Sequence, residues 1–159
     1  MAYDSFADAI FRHCYFRLRD YERAKDLMQE SFVKTWKYLS GGTEVENLRA
    51  FLYRVANNLI VDFVRKKKEA SLDELATKGF DPSAGAPGDM ELRAASREMI
   101  HLLEKVDEKS REVIIMRYLD DLPVKDIAFI LKESENAISV RLHRGLRKMR
   151  DIAENGGVK

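Results

Sequence analysis

The sequence predicts an all-α protein of two small helical domains, one of three helices and one of four, joined by a flexible linker. Three observations predict it. Apolar residues recur every three or four positions over most of the 159 residues, the period of one helix face, and no segment alternates residue by residue as a half-buried strand does. Leu, Ala, Glu, Lys and Arg, all good helix formers, dominate the composition. Glycine and proline are scarce, and Gly79, Pro82, Gly85, Pro87 and Gly88 crowd into one stretch poor in large apolar residues, which marks a linker.

The first helix is expected from Tyr3 to Leu18, with Phe6, Ile10, Cys14 and Leu18 in phase. The second runs from Tyr21 to Leu39 behind Asp20, an N-cap whose carboxylate can accept from a free amide of the first turn. Ala24, Leu27, Met28, Phe32 and Trp36 supply its apolar side. Trp36 is expected in the core, where its truncation costs ~3–5 kcal/mol. Ser40-Gly41-Gly42 ends that helix, since glycine is easily accommodated past a helix end. The third spans Leu48 to Lys67, with Leu48, Phe51, Leu52, Val55, Leu59 and Phe63 turned inward.

The linker covers Glu69 to Met90, with a short helical turn near Ser71 to Ala76. Four helices follow: Glu91 to Val106; Glu108 to Leu119 behind the N-cap Asp107; Val124 to Leu131 with Pro123 in its first turn; and Ser134 to Ala153. The expected domains are therefore residues 1–68 and 91–159, with 69–90 between them.

The last two helices form a short helix, a tight turn and a long basic helix. Ile138, Leu142, Gly145/Leu146 and Met149 make an inward stripe, and Ser139, Val140, His143, Arg144 and Arg147 lie opposite. An apolar back and a basic front on a helix packed against a short partner suit a DNA major groove.

Charge carries the same signal. The net charge is only +1, but it is segregated. Arg49, Arg54, Arg65, Lys66, Lys67 and Lys68 stand against Asp62 alone. Arg141, Arg144, Arg147, Lys148 and Arg150 share their stretch with no acid. Between these basic blocks, Glu69, Asp73, Glu74, Asp81 and Asp89 outnumber Lys78. Such segregation points to nucleic acid more than the net value does.

Other classes find little support. No apolar run approaches a membrane span and no signal-peptide pattern opens the sequence, so direct membrane insertion is not expected. The one cysteine, Cys14, rules out an intrachain disulfide and reads as a small packing residue. Glu98-Met99-Ile100-His101 is a single ExxH without the second that a di-iron bundle requires. There is no glycine-rich phosphate loop and no metal-spaced Cys/His cluster. No catalytic residue, metal, cofactor or small-molecule substrate is expected, and the protein is read as a non-enzyme.

Two motifs resemble one family. Residues Asp26 to Trp36, and Arg49 to Phe63 followed by Arg65 to Lys68, resemble region 2 of the sigma-70 family of bacterial RNA polymerase sigma factors. Arg111 to Leu119 and on to Arg150 resembles region 4. The short chain and direct linker are similar to the extracytoplasmic-function (ECF) group. The resemblance implies a cytoplasmic protein that binds core RNA polymerase and directs promoter recognition and transcription initiation. An anti-sigma factor is implied as a further partner.

The resemblance also implies residue roles. Asp26, Gln29 and Glu30, which share a helix face, would grip the polymerase. The third helix would meet the minus-ten promoter element. There Asn57, Asn58 and Asp62, on or near one polar face, would address base edges, and Arg65, Lys66 and Lys67 would address phosphates. The loop Ser40 to Glu46 would capture an unstacked base. At the minus-thirty-five element Ser139, Val140, His143 and Arg144 would enter the groove, with Arg141 and Arg147 on phosphate. The chain departs from the family where the turn carries Lys132-Glu133 in place of glycine and an apolar residue, and where Val140 stands in place of a small polar one. A linker of this length spans at most ~75 Å, enough to bridge sites ~35–70 Å apart on DNA. The alternative is an autonomous helix-turn-helix regulator that binds an operator without polymerase.

Overall fold

The computed structural model describes residues 2–71 and 90–156. Its helices are α1 Ala2–Leu18, α2 Tyr21–Ser40, α3 Leu48–Ser71, α4 Met90–Glu104, α5 Glu108–Ile114, α6 Val124–Leu131 and α7 Glu135–Gly156, with a π-helical turn Ile115–Leu119 after α5. The described residues contain no strand. They divide into two compact units, one built from α1–α3 and the other from α4–α7. Helix continues past the expected start of the linker, through Ser71. The expected helical turn near Ser71 to Ala76 otherwise lies outside the described residues.

In the first unit the three helices all pack on one another. Asp20 caps α2 as expected, its carboxylate accepting from the Arg23 amide at 3.1 Å. Asn47, which the sequence reading passed over, caps α3 by accepting from the Ala50 amide at 3.0 Å. The core holds Ile10, Cys14, Ala24, Leu27, Met28, Leu52, Tyr53, Ala56 and Ile60. His13 is fully buried too, its ring edge-on to Tyr53 at 5.3 Å.

The inward face of α3 is rotated from the expected one. Ala50, Leu52, Tyr53, Ala56, Asn57 and Ile60 are buried, whereas Phe51, Val55, Leu59 and Phe63 are half-buried. These half-buried residues work on the flank: Phe51 stacks on Tyr38 at 4.8 Å, and the Arg23 guanidinium lies over Phe63 at 5.6 Å. A helix that touches two others is apolar around much of its circumference, so periodicity alone leaves its phase loose.

In the second unit α7 packs on α4, α5 and α6. Leu103, Val106, Val113, Ile114, Ile115, Met116, Leu122, Ile127, Ile130, Ile138 and Leu142 form the core. Asp107 caps α5, accepting from the Ser110 amide at 3.1 Å. Arg111 closes the end of α4, donating to the carbonyls of Leu103 at 2.7 Å, Glu104 at 3.2 Å and Val106 at 2.9 Å. The helix expected over Glu108 to Leu119 changes character at Ile115, where the Asp120 amide reaches back five residues to the Ile115 carbonyl at 2.9 Å. Val113, Ile114, Ile115 and Met116 are all buried, a run wider than one α-helical stripe, and the wider π turn accompanies it. Pro123 stands just outside α6 rather than in its first turn, and its carbonyl accepts from the Ile127 amide at 3.1 Å.

Candidate nucleic-acid and partner interfaces

α7 is placed by its first turn. The Ser134 hydroxyl caps it, accepting from the Ala137 amide at 3.1 Å. Lys132 ends α6 in the left-handed region, φ 57° and ψ 43°, where glycine is the usual occupant. The Glu133 amide then bonds the Ala128 carbonyl at 3.0 Å. The tight turn therefore forms with Lys132-Glu133, at the cost of a strained lysine. Further along, Gly145 allows α7 to cross α5 closely. A Cβ there would stand 3.0 Å from both the Ile114 Cδ1 and the Ser110 Cβ.

With Ile138, Leu142 and Gly145 buried, Ser139, Val140, His143, Arg144 and Arg147 are exposed on the other side. Val140 is 38 % exposed. Arg141 does not join them. Its side chain is only 18 % exposed, with Nη1 2.9 Å from Glu133 and Nη2 3.3 Å from Glu112. Nη2 also donates to the Lys109 carbonyl at 2.6 Å. Arg141 is thus a clamp that ties α7 to α5 and to the turn, with two carboxylates against its charge. This corrects its assignment to phosphate, which the family resemblance implied.

α3 presents a second polar surface. Asn58, Arg65, Lys66 and Lys67 are exposed, and Asp62 is half-buried among them. Arg54, Asn58, Val61, Arg65 and Lys68 recur at four- and three-residue steps, so Val61, 49 % exposed, belongs to the face that sequence reasoning had listed without it. Asn57 does not belong. It is 3 % exposed, and its Oδ1 accepts from Arg17 at 2.7 Å. The same rotation of α3 that buries Tyr53 carries Asn57 inward, which corrects its assignment to base edges. Asp62 lies 2.5 Å from Arg65 and 3.1 Å from Lys66. Hydrogen bonding from Lys66 and the two cations hold its carboxyl below the ordinary value. The loop before α3 is exposed from Ser40 to Glu46 apart from half-buried Val45. Gly42 takes φ +85° with nothing near where a Cβ would be, so the turn itself, not crowding, calls for glycine.

α2 presents a third surface. Asp26, Gln29 and Glu30 are exposed, and Glu30 pairs with Lys34 at 3.8 Å. Trp36 lies on this side, 72 % exposed, and Val33 is exposed beside it. This corrects the core assignment of Trp36. The inward stripe of α2 is Ala24, Leu27, Met28, Ser31 and Thr35. Ser31 and Thr35 hide in the core because their hydroxyls donate to the Leu27 and Ser31 carbonyls at 2.7 and 2.8 Å. Two self-satisfied hydroxyls disguised the stripe. Asp26, Gln29, Val33 and Trp36, three, four and three residues apart, are the signal that the tryptophan faces out.

The described residues contain no group of three or more His, Cys, Asp or Glu that could hold a metal, and Glu98 and His101 are both exposed. No described helix is long and apolar enough to cross a membrane.

A helix-turn-helix with an exposed basic reading face, paired with a separate helical unit, defines a DNA-binding transcription protein. Comparison with known proteins makes the class specific. Residues 2–70 match the family model for sigma-70 region 2 and residues 96–149 the model for sigma-70 region 4. The ECF RNA polymerase sigma factor SigW of Bacillus subtilis is 31 % identical over 157 residues, covering 92 % of this chain and 84 % of that protein. The ECF sigma factor SigM of the same organism is 24 % identical over 157 residues, covering 97 % and 94 %. Among solved structures, the sigma factor RpoE of Bartonella quintana, in complex with the anti-sigma factor NepR, shares the fold. Its TM-score is 0.76 at 18 % identity, over 96 % of this chain and 94 % of that one. The chain belongs to the ECF group of the sigma-70 family of RNA polymerase sigma factors. These relatives are all sigma factors.

Proposed function

We propose that the three surfaces divide the work of promoter recognition. Residues 1–68 bind core RNA polymerase and the minus-ten element, and residues 91–159 bind the minus-thirty-five element. Asp26, Gln29 and Glu30 on α2 dock on the polymerase, joined by Val33 and Trp36. An exposed tryptophan beside directional acceptors is the composition of a binding hot spot. Asn58, Asp62, Arg65, Lys66 and Lys67, with the loop Ser40 to Glu46, hold the melted strand. Ser139, Val140, His143, Arg144 and Arg147 meet the upstream duplex. The chain carries out no chemistry itself; the polymerase supplies the catalysis, in the cytoplasm. An anti-sigma protein that covers these faces is a further partner, as NepR is for the Bartonella RpoE.

The observation that carries this reading is the outward face of α7, basic, exposed and set on a helix-turn-helix. In vitro transcription with core polymerase, with and without the chain, tests it. Promoter-specific transcripts are expected only with the chain present. Specific DNA binding without polymerase, and no transcripts, would overturn it in favour of an autonomous regulator.

A further inference from the structure

At about 3.6 residues per turn, Asn136, Val140, His143 and Arg147 fall in line along α7, four, three and four residues apart. The buried residues Ile138, Leu142 and Gly145 lie on the other side. Asn136 therefore sits on the outward face, in the first turn. That is the end of a recognition helix whose side chains reach base edges.

Three observations say that this asparagine has no structural duty. It is exposed. Capping falls to Ser134, so Asn136 is not the N-cap that its residue type often is. Among the described residues no hydrogen bond, ion pair or ring contact engages its amide. Asparagine is also a poorer helix former than alanine, so neither propensity nor packing accounts for it here. Its position is nonetheless well fixed. The Ser134 cap holds the turn from one side, and the Arg141 contacts to Glu133, Glu112 and the Lys109 carbonyl hold it from the other.

We propose that Asn136 is a specificity-determining residue that reads an adenine of the upstream promoter element in the major groove. The carboxamide offers one acceptor and two donors, which match the adenine N6 amino group and N7 in a bidentate pair. This rests on the reading of α7 as the helix that meets upstream promoter DNA.

The test uses holoenzyme reconstituted from core polymerase and the full chain. Its binding is measured on promoters that carry each of the four bases at every upstream-element position. Wild type is compared with Asn136→Ala, Asn136→Asp and Arg144→Ala. Wild type is expected to prefer adenine by roughly tenfold at one position. Asn136→Ala should reduce that preference to below about twofold while the other positions keep theirs. Asn136→Asp should move it toward cytosine, whose N4 amino group donates to a carboxylate. A residue with a merely structural role would weaken all sequences alike. Unchanged preferences in Asn136→Ala, or a uniform loss at every position, would overturn the proposal. If Arg144→Ala shifts a preference and Asn136→Ala shifts none, only the role of Asn136 fails. If neither shifts any, the reading of α7 fails with it.

Discussion

Trp36 and Lys132 show what a single residue can and cannot announce. A tryptophan in an apolar period looks like core, yet Trp36 is turned to solvent because Ser31 and Thr35 occupy the inward positions. Trp36→Ala should therefore change unfolding free energy by no more than ~0.5 kcal/mol, measured by urea denaturation. The same substitution should weaken binding to core polymerase about tenfold or more, as loss of a hot-spot tryptophan does. Lys132 is the opposite case, since its unusual backbone was signalled by its place in the turn. Its left-handed conformation costs an L-residue ~1 kcal/mol, of which glycine returns part through its greater freedom in the unfolded chain. Lys132→Gly should stabilise the protein by about 0.5 kcal/mol in the same assay, with no change in helix content.

At the scale of elements, helix existence was legible, and so was the phase of α7, but not that of α3. The bounds of α2 and the starts of α5 and α7 follow from Asp20, Asp107, Ser134 and the glycines, residues whose chemistry acts within one turn. The phase of α3 depends on which of its many apolar residues meets α1 and which meets α2, and that is a property of the packing. The same rotation decides that Asn58 faces out and Asn57 meets Arg17.

The crossing of α7 and α5 depends on Gly145 in a comparable way. With a Cβ already 3.0 Å from Ile114 and Ser110, Gly145→Val should destabilise by about 1–3 kcal/mol through overpacking. It should weaken upstream DNA binding in proportion to the unfolded fraction. The Asp107 cap adds a pH dependence. Burial raises its carboxyl pKa, but bonds from the Ser110 hydroxyl and amide, with Lys148 nearby, outweigh that and hold it below the ordinary value. A folded pKa below the unfolded one gives stability that is complete above ~3.9 and lost as the pH falls through the lower, folded value. The stability difference between wild type and Asp107→Asn, from urea denaturation across a pH series, should be present at pH 7. It should shrink to nothing in acid.

For the whole molecule the question is how many charges reach DNA. Sequence counts five basic residues in α7 between Asn136 and Arg150. Arg141 is held by Glu112 and Glu133, and Lys148 lies 3.6 Å from Asp107. With Arg144 in the groove, Arg147 and Arg150 are left to neutralise phosphate, which predicts a log–log salt slope of about −1.8 from this helix. Arg147→Ala should make the slope shallower by about 0.9. Arg141→Ala should lower affinity and thermal stability while leaving the slope unchanged. A shallower slope in Arg141→Ala would mean that the clamp opens onto DNA in the complex.

The sequence by itself determined the all-α class, the two helical units, the caps and turns that bound their helices, and the family to which those motifs belong. Each of these rests on chemistry local to a few neighbouring residues. Only the tertiary structure decided that Trp36 faces outward, that Asn57 is buried and that Glu112 and Glu133 hold Arg141. Which side of a helix is inside is set by its partners, and a side chain's charge is free for DNA only when no carboxylate from another helix already holds it.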